Sequence, residues 1–408
     1  MRILFLTQYY PPEVGAPQNR LHELAVRLKD KGLEVEVLTA MPNYPSMEIH
    51  DRYKGNQIKE EIIDGIKVYR SRIYVSKSKS IVKRLLNYFS FVLTSYFRGK
   101  KLEQFDYLLV ESPPLFLGYS AILLSKKLKA KLIFNVSDLW PESAEKLGLV
   151  TNKTFLKLAY NLEKKCYDKS FLITGQTNGI VQSIVSRFPN KDVYWLPNGV
   201  DLNFYNPENS TTVFRENNNF SNDDLLLFYG GIIGYAQGLD VVLNVANKLK
   251  SYPKIKFILQ GSGPEKSRLL KIKQELDLWN VFFFDPVNKS DMPSVLSAVD
   301  IALVPLKKLE LFTGAIPSKI FEALAMETPL LLGVDGEAKG HFIDKADAGL
   351  YFEPENIDDL FDKILLFYNN PNLIIEKGKN GRKYVNEFFN RDNISLGFYN
   401  KLKLNKTL

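Results

Sequence analysis

A short segment in the second half of the chain combines a helix start with a positive charge. The sequence from Thr313 to Pro329 reads TGAIPSKIFEALAMETP. Pro317 and Ser318 are typical of the first residues of a helix, and the apolar residues behind them continue it. Lys319 then places a cation in the first turn, which is mildly unfavourable unless an anion lies against it, because a helix already presents its positive end there. We expect the helix amides and the Lys319 ammonium to bind a diphosphate.

Glu322 lies one turn after Ser318 and adds a second chemical function to this segment. A carboxylate at this position can accept two hydrogen bonds from a vicinal diol such as a ribose. Together these residues predict a nucleoside diphosphate site. The alternative is that the Lys319 side chain is solvated and that Glu322 forms an ion pair on the helix surface. The segment alone leaves both interpretations open.

Short apolar strands alternate with helical patterns along both halves of the chain. The first series is RILFLT, EVEVLTA, YLLVES, AKLIFNV, SFLITG and DVYWLP, and the second is LLLFYGG, KIKFILQG, VFFFDPV, DIALVP and PLLLGV. A polar, Asn-rich stretch separates the two series. The alternation predicts an α/β protein with two Rossmann-like, doubly wound domains that face a cleft. We predict domains over 1–200 and 201–384, and an amphipathic helix within 385–408 that packs back on the first domain.

Glycine-bearing loops follow several of these strands. Ligands of parallel sheets bind beyond the carboxyl ends of the strands, and glycine allows a backbone to approach an anion closely. Gly15 in QYYPPEVGAPQNR, Gly231 in YGGIIGYAQG and Gly261 in LQGSGPEKSRLL are therefore candidate phosphate-binding residues. Each loop taken singly is explained better as a tight turn, because GSG without a third glycine is not a dinucleotide fingerprint.

Composition excludes several classes of protein. A chain of 408 residues with 45% apolar and 25% charged residues is typical of a globular protein of two domains. The single cysteine, Cys166, excludes an intrachain disulfide. The start of the chain lacks a signal peptide pattern, and no stretch approaches the ~20 apolar residues of a membrane span. We therefore predict a cytoplasmic protein. Because the chain has no Asp-x-Asp pair, we expect no cofactor and no metal requirement.

The net charge of +8 is concentrated in one region. Ten basic residues and no acidic one lie between Asp64 and Glu103. Within this window (65–101), a helical pattern has an apolar face and basic ends, formed by Leu85, Tyr88, Phe89, Val92 and Tyr96, and by Lys83, Arg84, Arg98, Lys100 and Lys101. Such a helix can lie on an anionic membrane, which predicts a peripheral protein at the inner face of the cell membrane. A core helix with solvated ends explains the pattern equally well. Nucleic acid is a weaker candidate, because the aromatic residues are not interleaved with the cations.

The motifs, taken in order, resemble those of glycosyltransferase family 4. The similarity includes QYYPPEVGAPQNRLHELAVRL, PNGVD, GSGPE, DPVNKSDMPSVLSAVDIALVP, PSKIFEALAMETP and DGEAKGHFIDKADAGLYFEPEN. It covers essentially the whole chain. Family 4 consists of retaining enzymes with the GT-B fold of two Rossmann-like domains. Within the family, DLWPES and PSKIFE look most like the WbuB-type transferases of bacterial surface polysaccharide assembly, which make capsule and O-antigen.

The resemblance implies a UDP-sugar donor and suggests roles by position. Glu322 matches the second acid of the family's Glu-x7-Glu motif, which binds the nucleotide ribose. Val287 and Asn288 match the segment whose backbone holds the base. Gly15 matches the glycine loop that closes over the donor phosphates, and Asn198–Gly199 matches the interdomain turn.

Three polar contacts that are common in the family are missing here. The first acid of Glu-x7-Glu aligns with Gly314. The Arg and Lys of the usual phosphate clamp align with Ile232 and Gln237. The His of a His-Asp pair in the first domain aligns with Ser137, which leaves Asp138.

One hypothesis accounts for these departures. Lys319 would replace the phosphate clamp, and loss of the sugar-reading acid and of the His would suit a 6-deoxy donor. UDP-linked N-acetylated 6-deoxyhexose such as FucNAc is the favoured example, and UDP-GlcNAc or another hexose donor is the alternative. The implied mechanism is a front-face displacement in which the departing β-phosphate takes the acceptor proton and the protein stabilises the diphosphate. Lys319, Glu322 and Asp138 are the catalytic candidates.

The implied acceptor is a polyprenyl-diphosphate-linked saccharide bound by the first domain. Arg20 is a candidate for its diphosphate, and Asp138 for the sugar or the acceptor hydroxyl, although an aspartate that caps the next helix is an equal alternative. A different interpretation is a chain that keeps the fold without turnover and serves as a docking subunit of an assembly complex. A non-hydrolysing UDP-sugar 2-epimerase is disfavoured, because the histidine- and acid-rich site of that class is not found in the sequence.

Overall fold

The chain forms two compact units in the computed structural model. The structure describes residues 1–13, 15–44, 46–56, 58–78, 80–209 and 211–407. The first unit comprises Met1–Asn198 and Arg391–Leu408, and the second comprises Gly199–Asn390. Each unit consists of helices packed on a mostly parallel sheet, which confirms the predicted α/β class.

The first unit is built on one sheet. The described strands are β1 (Arg2–Leu6), β2 (Glu34–Ala40), β3 (Glu60–Ile63), β4 (Ile66–Ser71), β5 (Tyr107–Ser112), β6 (Lys131–Val136), β7 (Leu172–Gly175) and β8 (Val193–Trp195). They lie in the order β3-β4-β2-β1-β5-β6-β7-β8. The pairs are parallel except at the edge, where β3 runs antiparallel to β4.

Helices cover both faces of this sheet because both faces of its central strands are apolar. The helices are α1 (Ala16–Asp30), α2 (Ile81–Gly99), α3 (Leu117–Lys127), α4 (Glu142–Lys146), α5 (Lys153–Lys169) and α6 (Asn178–Arg187). Along β1, Leu4 and Leu6 face a core shared with α2, α3 and α5. Ile3 and Phe5 point the other way, into a core shared with α1. This alternation is the period of two that a strand imposes on its side chains.

The second unit has a sheet whose described pairs are all parallel. Its strands are β9 (Leu225–Gly230), β10 (Ile255–Gln260), β11 (Val281–Phe284), β12 (Ile301–Pro305), β13 (Leu330–Gly333) and β14 (Gly349–Tyr351), in the order β11-β10-β9-β12-β13-β14. Its helices are α7 (Val213–Asn217), α8 (Asp240–Lys248), α9 (Lys266–Glu275), α10 (Met292–Ser297), α11 (Lys319–Ala325), α12 (Glu337–Lys339), α13 (Ile357–Asn369) and α14 (Pro371–Phe388).

Three strands were not predicted. β3 and β4 form a hairpin whose turn, Asp64–Gly65, has positive φ at both residues, 48° and 74°. An Asp-Gly pair between two short apolar runs is a hairpin signal that the sequence does contain here. β14 has three residues and is too short to give a pattern.

The last helix, α15 (Arg391–Thr407), belongs to the first unit, and the chain returns later than predicted. The prediction placed the return at 385, whereas the second unit extends to Asn390. Phe389 causes this difference, because it is fully buried against Phe321, with ring centroids 4.9 Å apart. Phe398 of α15 packs in the core that α1 shares with the first sheet.

We predict that Phe398→Ala destabilises the first unit by about 3 kcal/mol or more, because truncation of a fully buried phenyl ring leaves a cavity. The matched control is Leu396→Ala on the same helix, where the side chain is exposed and a change within about 0.5 kcal/mol is expected. Denaturant unfolding monitored by circular dichroism measures both. Equal effects of the two substitutions would contradict the docking of α15.

Candidate functional site

Two loops at the carboxyl ends of β9 and β10 pack directly on each other. We call residues 231–238 the β9 loop and residues 261–265 the β10 loop. The Ile233 amide donates to the Ser262 carbonyl at 2.8 Å, and the Glu265 amide donates to the Ile233 carbonyl at 3.1 Å. Because parallel sheets bind ligands beyond the carboxyl ends of their strands, this pair of loops marks the expected binding edge of the second unit.

Gly231 and Gly261 allow this close packing. Both have positive φ, 135° and 149°, where any other residue is strained. A Cβ atom at position 261 would overlap the carbonyl oxygen of Gly231, whereas one at position 231 would lie 3.3 Å from Nζ of Lys319. The structure therefore brings these two glycines and Lys319 together.

The helix that carries Lys319 begins two residues later than predicted. Pro317 and Ser318 precede α11, so the placement of Pro317 in the first helical position is wrong. Their carbonyl oxygens accept hydrogen bonds from the amides of Ile320 and Phe321, both at 3.1 Å. Since those amides are already bonded, the Lys319 ammonium is the stronger candidate for binding an anion here.

The Lys319 ammonium is held over an aromatic ring. Its Nζ lies 3.5 Å from the ring centroid of Tyr229, a fully buried residue of β9 whose hydroxyl donates to the Ile232 carbonyl. A cation over a ring face is attracted by the ring electrons. Burial lowers the pKa of Lys319 to about 7, and the carboxylate of Glu322 partly opposes this shift. An anion placed against such a lysine would restore its full charge.

Glu322 lies in the first turn of α11 and is half-buried. The helix is fixed by its apolar face, since Phe321 and Leu324 are in the core. Lys319 and Glu322 are three residues apart and therefore share one side of the helix, which agrees with the electrostatic effect of the carboxylate on the lysine. The two predicted catalytic residues of this segment are thus neighbours.

The predicted base-binding residues follow β11 at the same edge of the sheet. Val287 is half-buried and Asn288 is exposed, and both precede a short 3₁₀ turn, Lys289–Asp291. Gly314 ends a second 3₁₀ turn, Glu310–Gly314. Apart from Gly314 and its two chain neighbours, no heavy atom of the described residues lies within 4 Å of a Cβ built at Gly314, so this position is open where the family has an acid.

Sequence reasoning missed a second lysine beside the β9 loop. Lys307 follows β12, and its Nζ lies 3.4 Å from the ring centroid of Tyr235. Its amide donates to the Ala236 carbonyl at 3.0 Å. The available signal was a cation two residues beyond the end of a buried strand, at the edge where ligands bind.

The predicted turn Asn198–Gly199 lies where the chain passes from the first unit to the second. Asn198 is buried, and its Oδ1 accepts a hydrogen bond from Nη2 of Arg391 at 3.3 Å within the first unit. Within the second unit, the Val200 amide donates to the Phe389 carbonyl at 2.9 Å. These hydrogen bonds hold Asn198 in the first unit and Val200 in the second.

A buried polar cluster occupies the carboxyl ends of β5 and β6 in the first unit. Nη2 of Arg20 donates to Oε1 of Glu111 and to Oγ of Ser137, both at 2.7 Å. Ser137 and Asn135 also donate to the Glu111 carboxylate. The side chains of Arg20 and Glu111 are only 8% and 4% exposed, so the charge of Arg20 is balanced inside the protein. Sequence analysis missed Glu111, an acid near the end of the apolar strand YLLVES. The acceptor role of Arg20 stays a prediction.

Asp138 lies in the loop between β6 and α4. Its Oδ2 accepts a hydrogen bond from Oγ of Ser143 at 2.8 Å, which ties the loop to α4. The pKa of Asp138 is raised because the surrounding protein desolvates the carboxylate, although hydrogen bonds from Ser143 and the Leu139 amide oppose the shift. Pro141 precedes α4 directly, so Asp138 is not the cap of that helix.

Gly15 precedes α1, at the end of a loop anchored by a buried acid. The Glu13 carboxylate accepts hydrogen bonds from the amides of Tyr10, Asn43 and Tyr44, at 2.7 to 3.1 Å. Burial raises the pKa of Glu13, and these bonds oppose the shift. Gly15 itself has an extended backbone, so its conformation does not require glycine.

The predicted membrane face of α2 is wrong. Val92 is buried, and Leu85, Tyr88 and Tyr96 pack on the core of the first unit. A different face is exposed, with exposed fractions between 38% and 61%, and we call it the α2 stripe; it consists of Val82, Leu86, Phe89, Leu93 and Phe97. The spacing of these residues places them on one side of the helix. Only Phe89 is common to the predicted and observed faces.

The neighbouring helix α3 also has exposed apolar side chains. Oγ of Ser95 in α2 lies 2.9 Å from Oγ of Ser120 in α3, and Tyr119 and Leu123 of α3 are exposed.

In the part of the chain that the structure describes, no helix is both long and apolar enough to cross a membrane. Across the same residues, no group of three or more His, Cys, Asp and Glu side chains is placed to hold a metal ion.

We predict that Lys319→Met stabilises the ligand-free protein at pH 7. Folding lowers the pKa of Lys319 to about 7, so between about pH 7 and 10 the unfolded chain binds more protons, and the penalty for burying the lysine grows as the pH falls. A gain of about 1 kcal/mol corresponds to a rise in Tm of about 2–4 °C for a unit of this size.

Thermal unfolding at pH 7 and at pH 9.5 measures this effect, and the gain is expected to shrink at the higher pH. Lys308→Met is the control, because Lys308 is exposed and bonded to Glu353. A lower Tm for Lys319→Met at both pH values would contradict the unfavourable burial of this lysine.

Comparison with known families assigns both units. The profile described as "Glycosyltransferase Family 4" matches residues 18–204, and the profile described as "Glycosyl transferases group 1" matches residues 210–384. The WcaI protein of Escherichia coli (strain K12), which its name presents as a candidate colanic acid biosynthesis glycosyl transferase, is 25% identical over 413 residues. The alignment covers 99% of this chain and 100% of WcaI.

Solved structures share the fold at low sequence identity. Sucrose-phosphate synthase from Thermosynechococcus elongatus superposes with a TM-score of 0.78 at 17% identity, over 100% of both chains. HepE from Anabaena, in complex with UDP and glucose, superposes with a TM-score of 0.72 at 16% identity, over 99% of both chains. The two parallel-sheet units, the two matched profiles and the full-length relative lead to one conclusion: the chain is a glycosyltransferase of the GT-B fold, with a family 4 domain followed by a group 1 domain.

Proposed function

We propose that this glycosyltransferase moves a sugar, with retention of configuration, from a UDP-sugar to a polyprenyl-diphosphate-linked saccharide in the synthesis of a bacterial surface polysaccharide. The observation that carries the proposal is the Lys319 ammonium, held beside Gly231 at the binding edge of the second unit. The name of WcaI supports the polysaccharide class, and the UDP complex of HepE supports the donor class.

In the proposed mechanism, Lys319 stabilises the leaving diphosphate. As the bond between the sugar and the diphosphate breaks in a front-face displacement, negative charge grows on the β-phosphate, which takes the proton of the acceptor hydroxyl. An ammonium that is already in place stabilises this charge without reorganisation, and its partly buried setting strengthens the attraction. Lys319 acts in its protonated form, which the arriving diphosphate favours.

The rest of the donor is assigned by position. Glu322 binds the ribose hydroxyls, and the backbone at Val287 and Asn288 holds the uracil. The adjacent loops at Gly231 and Gly261 admit the phosphates without side-chain obstruction, and Pro317 and Ser318 set the start of α11. The role of Gly15 toward the donor phosphates stays a prediction.

The donor sugar is proposed to be a UDP-linked 6-deoxyhexose such as FucNAc. The open space at Gly314 and the hydroxyl of Ser137, where the family has an acid and a histidine, support a sugar with fewer polar contacts. UDP-GlcNAc or another hexose donor is the alternative. Asp138 is proposed to orient the acceptor hydroxyl, since its raised pKa suits a carboxyl group that shares a proton.

The acceptor is proposed to reach the first unit from an anionic membrane surface, on which the protein is peripheral at the cytoplasmic face. The α2 stripe supplies five exposed apolar side chains, and Lys83 and Lys100 stand at its two ends. Such a surface can bury its apolar side chains between lipid headgroups while the lysines pair with anionic lipids. Arg20 remains the candidate for the acceptor diphosphate.

We predict that Lys319→Ala lowers kcat by about 100- to 1000-fold, because it removes a preorganised positive group from the leaving diphosphate. Glu322→Ala is expected mainly to raise KM for the donor, since the ribose contact is equal in the ground and transition states. Purified protein is assayed by mass spectrometry with a panel of 6-deoxy and 6-hydroxy UDP-sugars, and full activity is expected in EDTA.

Lys308→Ala is the matched control for this series and should retain the kcat of the wild type. Near-normal turnover by Lys319→Ala would refute the role of Lys319. Turnover of UDP-glucose but not of 6-deoxy donors would refute the proposed donor. UDP binding without turnover of any donor would favour the docking-subunit alternative.

We predict that the paired substitution Leu86→Glu and Leu93→Glu weakens binding to phosphatidylglycerol vesicles by more than about tenfold, because each removes an apolar side chain worth about 1.5–3 kcal/mol when buried. Vesicle sedimentation measures this. Leu404→Glu is the control, since Leu404 is exposed on α15, which covers the opposite face of the first sheet. Equal binding of all three proteins would exclude the α2 stripe as the membrane surface.

A further inference from the structure

The β9 loop has no cation of its own. Between Gly231 and Gly238 the sequence reads GIIGYAQG, which contains no lysine, arginine or histidine. A diphosphate bound at this loop must therefore be neutralised by side chains from other elements. Lys319 from α11 and Lys307 from the segment after β12 both reach the loop.

The two lysines are held in the same way at different points of the loop. Nζ of Lys319 lies 3.5 Å from the ring centroid of Tyr229, just before the loop, and Nζ of Lys307 lies 3.4 Å from that of Tyr235, within the loop. Each ammonium thus lies over an aromatic face, and Lys319 also lies near the Glu322 carboxylate. A ring face attracts a cation without neutralising it, so an incoming anion can still bind there.

The backbone fixes Lys307 against the second half of the loop. Its amide donates to the Ala236 carbonyl at 3.0 Å. Gly238 has a positive φ of 57°, and a Cβ at this position would lie 3.2 Å from Cγ of Lys307. The stem of Lys307 therefore packs on Gly238, and this contact holds the side chain beside the loop.

Neighbouring carboxylates do not neutralise Lys307. The nearby Asp240 carboxylate is already bound by both Nη atoms of Arg268, at 2.6 and 2.8 Å, and these bonds are the main cause of its lowered pKa, to which Lys307 adds less. The adjacent Lys308 differs, because its ammonium pairs with Glu353. Among the described residues, no carboxylate forms an ion pair with Lys307.

We propose that Lys307 is the second ammonium of the donor site and that, with Lys319, it forms a two-lysine clamp on the UDP diphosphate. One lysine binds from each end of the β9 loop, and Tyr229 and Tyr235 are the positioning residues. The clamp replaces cations that the loop itself lacks. This inference rests on the proposed function, because it assumes a nucleoside diphosphate at this edge.

The test compares UDP with uridine, which lacks the diphosphate. Isothermal calorimetry measures UDP binding, and NMR titration measures uridine binding, for wild type, Lys307→Gln and the control Lys308→Gln. Loss of one charge-assisted contact is expected to weaken UDP binding about 10- to 100-fold. Uridine binding should be unchanged in Lys307→Gln, and Lys308→Gln should bind UDP like the wild type.

Variants of Tyr235 test the positioning role. Tyr235 is 68% exposed, so its substitution is not expected to disturb folding. Tyr235→Phe keeps the ring and should bind UDP like the wild type, whereas Tyr235→Leu should bind it a few-fold more weakly.

The outcomes separate this inference from the proposed function. A wild-type protein with no affinity for UDP would refute both. A wild type that binds UDP, together with a Lys307→Gln variant that binds it equally well, would refute the clamp alone. An equal loss of UDP and uridine binding in Lys307→Gln would also overturn the clamp, because it would mean that Lys307 supports the loop rather than the diphosphate.

Discussion

The burial of the Lys319 ammonium at the edge of the second sheet is the constraint on which the candidate site depends. Burying a cation costs free energy, which appears here as a pKa lowered to about 7. The Tyr229 ring and the Glu322 carboxylate offset only part of that cost. The rest of this free-energy cost must be offset by the burial of apolar side chains in the core of the second unit. The same uncompensated cost would favour the binding of an anion, because the negative charge of the proposed diphosphate would stabilise the protonated form of Lys319.

In the first unit, by contrast, the buried cation has an ion-pair partner inside the protein. Arg20 is nearly inaccessible, and it is matched within the protein by Glu111 and by the hydroxyl of Ser137. A buried ion pair of this kind fixes geometry and leaves little net charge for a ligand. The two units therefore carry the same fold with different electrostatic content. The second unit places Lys307 and Lys319 over tyrosine rings beyond the carboxyl ends of its strands, and the first holds a balanced ion cluster at the corresponding edge of its own sheet.

Much of the fold could be predicted, because the period of the apolar residues is a local property. The strands of both sheets alternate with helices in the predicted order, and the departures are short or unusual elements such as β14 and the hairpin β3–β4. The buried face of a helix was harder to predict from the sequence. Both sides of α2 are apolar, so its pattern alone does not tell which side packs on the sheet. Burial of Val92 and exposure of Leu93 were decided by contacts with distant parts of the chain.

The sequence by itself determined the family resemblance, the α/β class and the choice of Lys319, because motif order and residue type are written along the chain. Tertiary structure alone decided which groups lie beside each cation. Folding pairs Arg20 with the carboxylate of Glu111, which is 91 residues away in the sequence. It places Lys307 and Lys319 over tyrosine rings beside the β9 loop, which contains no charged residue. Whether a charge is neutralised depends on which groups approach within a few ångströms, and that distance is set by folding rather than by spacing in the sequence.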